Sequence, residues 1–334
     1  MKTVYYGGLL KISNFSEREM IGYLIMNALK KLWKPLKKLW KQYLAVTFIF
    51  NDAINHFKYS APDDHFLSLK TKEFSKRTIL EKDLHRIEKG LSMNNARKIF
   101  GLEVYSRIRM FRDSHLNESD YHHVNRANQA LGALEAWQKS GDRSLGVLTE
   151  TVSPLSNDDL RSLYRIMFQT RKSIRNFSDG VPRESEIVDS ISWALNSPSV
   201  CNRQSWRVWY VTDHTILEKI LALQNGNAGF NNLNALLVFG IDRRKFTLGT
   251  ERNQPWIDGG IFAMSTVWAL HAHGIGTCFL NWSTSPRHSR LLRRHLQVEE
   301  YIEFITLCAV GHFDKDTLVA ISPRKKVIDY LSII

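Results

Sequence analysis

Four segments in the second half of the chain carry side chains that could do chemistry. Arg171-Lys-Ser-Ile-Arg-Asn-Phe177 packs three cations and a hydroxyl into five residues, where a helix is expected to end. Guanidinium forks, an ammonium and a hydroxyl suit a phosphate monoester. A solvated charged turn would have the same composition. Ser197-Pro-Ser-Val-Cys-Asn-Arg-Gln-Ser-Trp206 offers Ser199, Asn202 and Gln204, short polar side chains that could meet a heteroaromatic ring with amide-like edges. A polar turn capped by Asn reads equally well. Trp256-Ile-Asp-Gly-Gly-Ile261 opens an apolar helix whose paired glycines allow close backbone approach. The helix leads to Gly274-Ile-Gly-Thr-Cys-Phe-Leu-Asn-Trp-Ser283, where a strand end could aim backbone N–H groups at a ligand. Last come Gly311-His-Phe and Ser322-Pro-Arg-Lys-Lys326, a second candidate anion site.

The elements that must position these segments alternate. Helices are expected over 157–170, 184–195, 215–223, 258–272 and 286–296, and strands over 207–211, 235–241, 276–280 and 304–310. Such alternation makes a layered α/β or α+β domain. The preceding region reads as helical, with helices over 77–89 (Gly90 as the stop), 96–113 and 119–139 (Ser119 as N-cap). Loop and linker signals at 140–146 and 151–157 place a domain boundary near residue 150, giving a helical region 1–150 and a second domain 155–334.

The 334 residues carry a net charge of +13, and 43% are hydrophobic, which excludes wholesale disorder. Residues 1–60 hold ten basic side chains against three acidic ones, so +7 of the +13 lies there. Within them Leu29, Leu32, Trp33, Leu36, Leu39, Trp40 and Tyr43 recur at helical spacing among lysines, a basic amphipathic helix at about 28–44 interrupted by Pro35. It could pack on the rest of the protein or lie on an anionic membrane face. No apolar run is long enough to span a bilayer, and no signal peptide is expected. Three scattered cysteines suggest a reducing compartment and no zinc module. His271 and His273, two apart on a helix, point to different faces, so no metal site is expected. His122 and His123 read as solvated surface. The basic stretch contains no nucleic-acid module.

Taken in order, the four segments resemble the boxes of the FMN-dependent nitroreductase superfamily: Arg-(Arg/Lys)-Ser-x-Arg-x-Phe, Pro-Ser-x-x-Asn-x-Gln-Pro-Trp, Asp-x-Gly followed by Gly-(Leu/Ile)-Gly, and a closing Pro-Arg. The resemblance covers residues 170–326. Leu80–Leu91 is similar to a His-Arg-x-Glu-Lys-Gly-Leu segment of longer members with a helical N-terminal extension. The resemblance implies an α+β fold, a nitroreductase-like α/β/α sandwich with a central mixed sheet, in a homodimer with FMN at the subunit interface.

It also implies roles residue by residue. Arg171, Lys172 and Ser173 match the positions around the FMN phosphate, with Arg324 closing that site and Lys326 assisting. Arg175 matches a cation near the pyrimidine edge, where positive charge favours reduced flavin. Pro198, Ser199, Asn202 and Gln204 match the loop that contacts the ribityl chain and ring from the partner subunit. Leu280, Asn281 and Trp282 match the strand end over the flavin, a backbone N–H near Asn281 and Trp282 facing N5. His85, Glu88 and Lys89 are placed in a motif without a role. Ser205 stands where the family usually has proline, and Asn281 where some members have glutamate. The activity implied is NAD(P)H-driven two-electron reduction of a small-molecule acceptor, with no catalytic side chain and no metal. The alternatives are a catalytically idle FMN-binding protein docking through its basic N-terminal half, and a flavin oxidase or dehydrogenase of a biosynthetic product. A cytoplasmic location is expected, with the 28–44 helix offering peripheral contact with the inner membrane face.

Overall fold

The computed structural model describes residues 35, 36, 39, 42, 43, 45–62, 72–93, 96–115, 121–142, 157–230 and 232–334. The chain divides into two compact units, Met1–Ala53 and Ile54–Ile334. In the first, every described residue is helical. The amphipathic helix expected over 28–44 lies mostly outside the described residues; of its apolar positions, Leu36, Leu39 and Tyr43 are described, and all three are exposed. Helix α1 covers residues 45–59.

In the second unit, α2 (Glu73–Ser92), α3 (Leu102–Ser114) and α4 (Tyr121–Ser140) share one apolar core. Leu80, Leu84, Ile87 and Leu91 form the α2 stripe, at the three- and four-residue spacing of a buried helix face. Gly90, expected to stop this helix, lies inside it. The ring of Phe100 occupies the space a side chain there would need, so the glycine serves packing rather than termination. Gly101, in a left-handed conformation at φ 68°, precedes α3, which therefore starts later than expected. The proposed cap Ser119 lies outside the described residues. His123 is engaged rather than solvated, 3.4 Å from Glu81.

Next come α5 (Asn157–Thr170), α6 (Glu184–Ala194), β1 (Trp206–Val211), α7 (His214–Leu223), β2 (Leu236–Asp242), α8 (Gln254–Ala272), β3 (Gly276–Asn281), α9 (Pro286–Leu296) and β4 (Ile302–Gly311). The strands form one sheet in the order β1-β2-β4-β3. β2 is buried along its whole length and reads as continuous apolar sequence for that reason. Asp213 caps α7 by accepting from Ile216 N at 2.9 Å, and Ser285 caps α9 by accepting from His288 N at 3.2 Å.

The sandwich is as expected. Leu236, Val238, Leu307 and Ala309 face Leu217, Ile220 and Leu292 of α7 and α9. Leu237, Phe239, Cys308 and Val310 face Ile187, Ala194, Phe262 and Val267 of α6 and α8. The expected mixed sheet is corrected: all the ladders between these strands are antiparallel. Parallel pairing is confined to isolated bridges, Ser173 with Thr277 and Ala61 with Thr247. Helix–strand alternation does not fix strand direction, because a helical connection can return the chain either way. A β-bulge lies opposite the Phe239–Gly240 step, with Ile305 as the extra residue of β4.

Candidate functional site

The Arg171–Phe177 segment follows the end of α5 and lies along β3. Ser173 bridges Thr277, and Ile174 N donates to Thr277 O at 2.9 Å. Its apolar residues seat it. Phe313 and Ile174 together fill the space a side chain at Gly276 would occupy, and Phe177 does the same at Gly311. Gly274 instead takes a left-handed turn at φ 72° with nothing near its missing side chain. With Ile174 and Phe177 buried, Lys172 and Arg175 are exposed, and Arg171 and Ser173 half-buried. Among the described residues no carboxylate lies within ion-pair reach of Arg171, Lys172 or Arg175. Arg171 and Arg175 lie close enough to β3 for their charges to act on the Cys278 thiol, which burial nevertheless holds above its ordinary range. Burial, with the Arg171 charge nearby, holds His271 below its usual value; its Nε2 is 2.8 Å from Thr170 Oγ1.

The Pro198–Gln204 loop sits between α6 and β1 and takes a costly backbone. Cys201, Asn202 and Gln204 have φ of 49°, 50° and 47°. Non-glycine residues in that region persist only where surroundings impose it. Here they do. Gln204 N donates to Ser199 Oγ at 3.0 Å, and Val200 N to Asp258 Oδ2 at 3.1 Å. Arg203, fully buried, donates from Nε to Val200 O at 3.1 Å and from Nη2 to Glu251 Oε1 at 2.7 Å. Sequence reasoning missed Arg203 and Glu251, because a buried arginine inside a polar loop looks like a surface one until its partner, 48 residues on, is located. The loop leaves Asn202 and Gln204 exposed, with Gln204 Nε2 donating to Asn202 Oδ1 at 3.1 Å. Ser205, in place of proline, is buried and its carbonyl accepts from Asp242 N at 2.8 Å.

At the end of β3, Leu280 is buried, while the Asn281 carbonyl accepts from Gln224 Nε2 at 3.1 Å. Trp282 Nε1 donates to Ser289 Oγ at 3.0 Å, tying the strand end to α9. Gln224 is a third residue sequence reasoning missed. Arg324 and Lys326 lie in the C-terminal segment, where both are exposed. Arg324 donates to Ser322 O at 3.0 Å, and Lys326 N to Asp329 Oδ2 at 3.2 Å.

The arrangement is thus a set of cations without a carboxylate partner among the described residues, and a hydroxyl, pinned beside strand β3, whose end is braced, plus a strained polar loop. Residues 168–232, which contain both the cationic segment and the loop, match the Nitroreductase family. This part of the chain resembles the nitroreductase family.

A relative from Archaeoglobus fulgidus, provisionally named NADH dehydrogenase/NAD(P)H nitroreductase, is 25% identical over 147 residues, covering 44% of this chain and 83% of its own. Among solved structures, a provisionally named nitroreductase of Bacillus subtilis is 16% identical with a TM-score of 0.47, covering 52% of this chain and all of its own. A provisionally named nitroreductase of Desulfovibrio desulfuricans, solved in complex with FMN, is 17% identical with a TM-score of 0.44, covering 53% and 96%. Within the matched residues, Ile174 and Phe177 seat the cationic segment, and Lys172 and Arg175 stay exposed.

Proposed function

We propose that the protein is an FMN-dependent oxidoreductase that takes electrons from NADH or NADPH and passes two at a time to a small-molecule acceptor. The observation that carries this is the trio Arg171, Lys172 and Arg175, held beside β3 around the Ser173 hydroxyl with no carboxylate among the described residues in ion-pair reach. The donor set fits a flavin mononucleotide: guanidinium forks and a hydroxyl for a phosphate dianion, and exposed amides for a ring with imide edges. FMN, when bound, supplies the two-electron chemistry. The chain supplies position and charge. Arg171 and Ser173 hold the phosphate, with Lys172 beside them and Arg324 and Lys326 closing the site. Arg175 sets positive charge near the pyrimidine edge and favours the reduced state. Ser199, Asn202 and Gln204, following Pro198, contact the ribityl chain and ring. The backbone at Leu280, Asn281 and Trp282, braced by Gln224 and Ser289, faces the reactive nitrogen.

The partner subunit completes this reading. The apolar face of α5 is exposed at Leu163, Tyr164, Ile166 and Phe168. The C-terminal segment exposes Leu318, Ile321, Val327, Ile328 and Tyr330. Surfaces of this size call for a cover, and a second copy of the chain supplies one.

The test is direct. Purified protein reconstituted with FMN should absorb between 350 and 500 nm and bleach anaerobically with NADH or NADPH. Arg171→Ala and Arg324→Ala should each weaken FMN retention at least tenfold, the scale of one lost charge-assisted bond at about 1.5–3 kcal/mol. Protein that takes up no flavin would overturn the proposal. Flavin that binds but bleaches with neither nucleotide would favour an oxidase or an idle binder.

A further inference from the structure

The C-terminal turn of α8 reaches the start of the cationic segment. His271 Nε2 lies 2.8 Å from Thr170 Oγ1, and Thr170 is the residue before Arg171. The Thr170 hydroxyl donates to Ile166 O at 2.7 Å, so its oxygen is left to accept from the imidazole N–H. Three residues earlier on α8, the Trp268 ring lies 4.6 Å from that of Phe168, centre to centre, and the Arg171 guanidinium stands 6.0 Å from it. Trp268 also meets His271 edge-on. One turn of α8 thus holds the last residue of α5 and the first cation of the segment.

His271 is half-buried, and burial first, then the Arg171 charge, hold its imidazole below the ordinary value. The titratable groups on the elements packed around α8 have other partners or stay neutral. On α6, Asp189 faces His273 at 3.1 Å and Glu186 pairs with Arg183. The Cys278 thiol of β3 and the Cys308 thiol of β4 are both pushed up by burial. On α5, Arg161 pairs with Asp158 in the first turn, where Asp159 also lies, and Arg165 is exposed. Among the described residues, Arg171 is the charge that acts on His271.

The geometry accepts a second proton. The N–H toward Thr170 is present in both charge states of the ring, and the added proton goes to Nδ1. With Arg171 alone beside it, that proton is opposed. A phosphate dianion held by Arg171 and Ser173 reverses the local field and favours the imidazolium.

Resting on the flavin reading above, we propose that His271 is a titratable member of the phosphate site, taking a proton from solvent at Nδ1 when the phosphate of FMN binds beside Arg171. Its charge then adds to the hold on that phosphate. The gain in affinity is complete below the pKa that His271 has without ligand. It is lost as pH rises through the higher pKa it has with phosphate bound. His271 is a positioning residue and takes no part in electron transfer.

The experiment is calorimetric titration of the full flavin-free chain with FMN at pH 6 and pH 8, in two buffers of different ionisation enthalpy, so that protons taken up are counted. His271→Gln keeps an N–H for Thr170 and carries no charge. Wild type should bind FMN about fivefold to tenfold more tightly than His271→Gln at pH 6, take up more protons there, and bind nearly equally at pH 8. Ionisation of the phosphate itself is common to both proteins and cancels in the comparison. Riboflavin, which lacks the phosphate, should show neither difference. NMR titration of the wild-type histidine rings, with and without inorganic phosphate, carries the test if the variant unfolds: the His271 midpoint should rise with phosphate. Equal affinity of the two proteins at pH 6, or the same loss at both pH values, would reduce His271 to a tie between α8 and α5 and overturn the proposal. So would a midpoint that phosphate does not move. Failure of the flavin reading is seen separately, as wild-type protein that binds no FMN, while the phosphate titration still decides His271.

Discussion

At the residue scale, the most consequential interaction is one the chemistry never touches. Arg203 and Glu251 form a buried pair behind the strained loop, and Glu251 also accepts from Thr247 N at 2.7 Å. Burial pushes the Glu251 carboxyl up, but the Arg203 guanidinium outweighs it and the net position is below the ordinary value. A carboxylate held low stabilises the fold above its unfolded pKa, and that contribution disappears as pH falls through the folded pKa. Asp258, which accepts from Val200 N, behaves oppositely: burial raises it, so its share of stability declines as pH climbs above the ordinary aspartate value. Arg203→Ala leaves a buried carboxylate without its cation and should cost about 3–5 kcal/mol at pH 7 by urea unfolding. The difference from wild type should shrink below pH 4.5, the ordinary value for Glu251, as its carboxyl protonates. A pH-independent difference would show that Arg203 acts through packing alone. The same variant should release FMN, since the loop's left-handed residues lose their brace.

At the element scale, α8 approaches the sheet through one glycine of its Asp-Gly-Gly sequence and not the other. A Cβ at Gly259 would stand 2.6 Å from Cγ1 of Ile305 and 3.2 Å from Cγ2 of Ile241. Ile305 is the bulged residue of β4, so the bulge and the glycine are matched features of a single contact. Gly260 meets nothing within 4 Å. Gly259→Val should therefore destabilise by roughly 1–3 kcal/mol through overpacking. Gly260→Ala should be neutral or stabilising by up to about 1 kcal/mol, the helix-propensity gain. Paired chemical denaturation curves check both; equal effects at the two positions would refute the close-approach assignment. Gly276 makes the same kind of room for Phe313 and Ile174, and Gly311 for Phe177.

At the scale of the whole molecule, the apolar face of α5 and the C-terminal segment give the dimer reading a measurable form. Removing residues 318–334 takes away Leu318, Ile321, Val327, Ile328 and Tyr330, each worth about 1.5–3 kcal/mol when buried. The shortened chain should sediment as a monomer and lose FMN, while its second unit stays folded, because none of those residues belongs to the apolar cores. A truncated protein that remains dimeric and yellow would refute the arm's role. The large positive charge is also apportioned differently from what composition suggests. Much of it lies in residues 1–60, yet the cations that the proposed function assigns to a ligand are only Arg171, Lys172, Arg175, Arg324 and Lys326.

The sequence by itself determined a layered helix–strand domain and most element boundaries, because helix and strand periodicities are local and β2 is apolar throughout; the α+β sandwich followed from the resemblance of its four boxes. It also marked the cationic segment, since side-chain chemistry at close spacing needs no third dimension to be noticed. Only the tertiary structure decided the direction of the strands, the separate duties of Gly259 and Gly260, the role of Gly90 as a seat for Phe100, and the pairing of Arg203 with Glu251. It alone placed His271 beside Thr170, 101 residues away in the chain. Such relations depend on contacts between distant segments, and a residue's own type carries no record of which distant neighbour will fill its space or neutralise its charge.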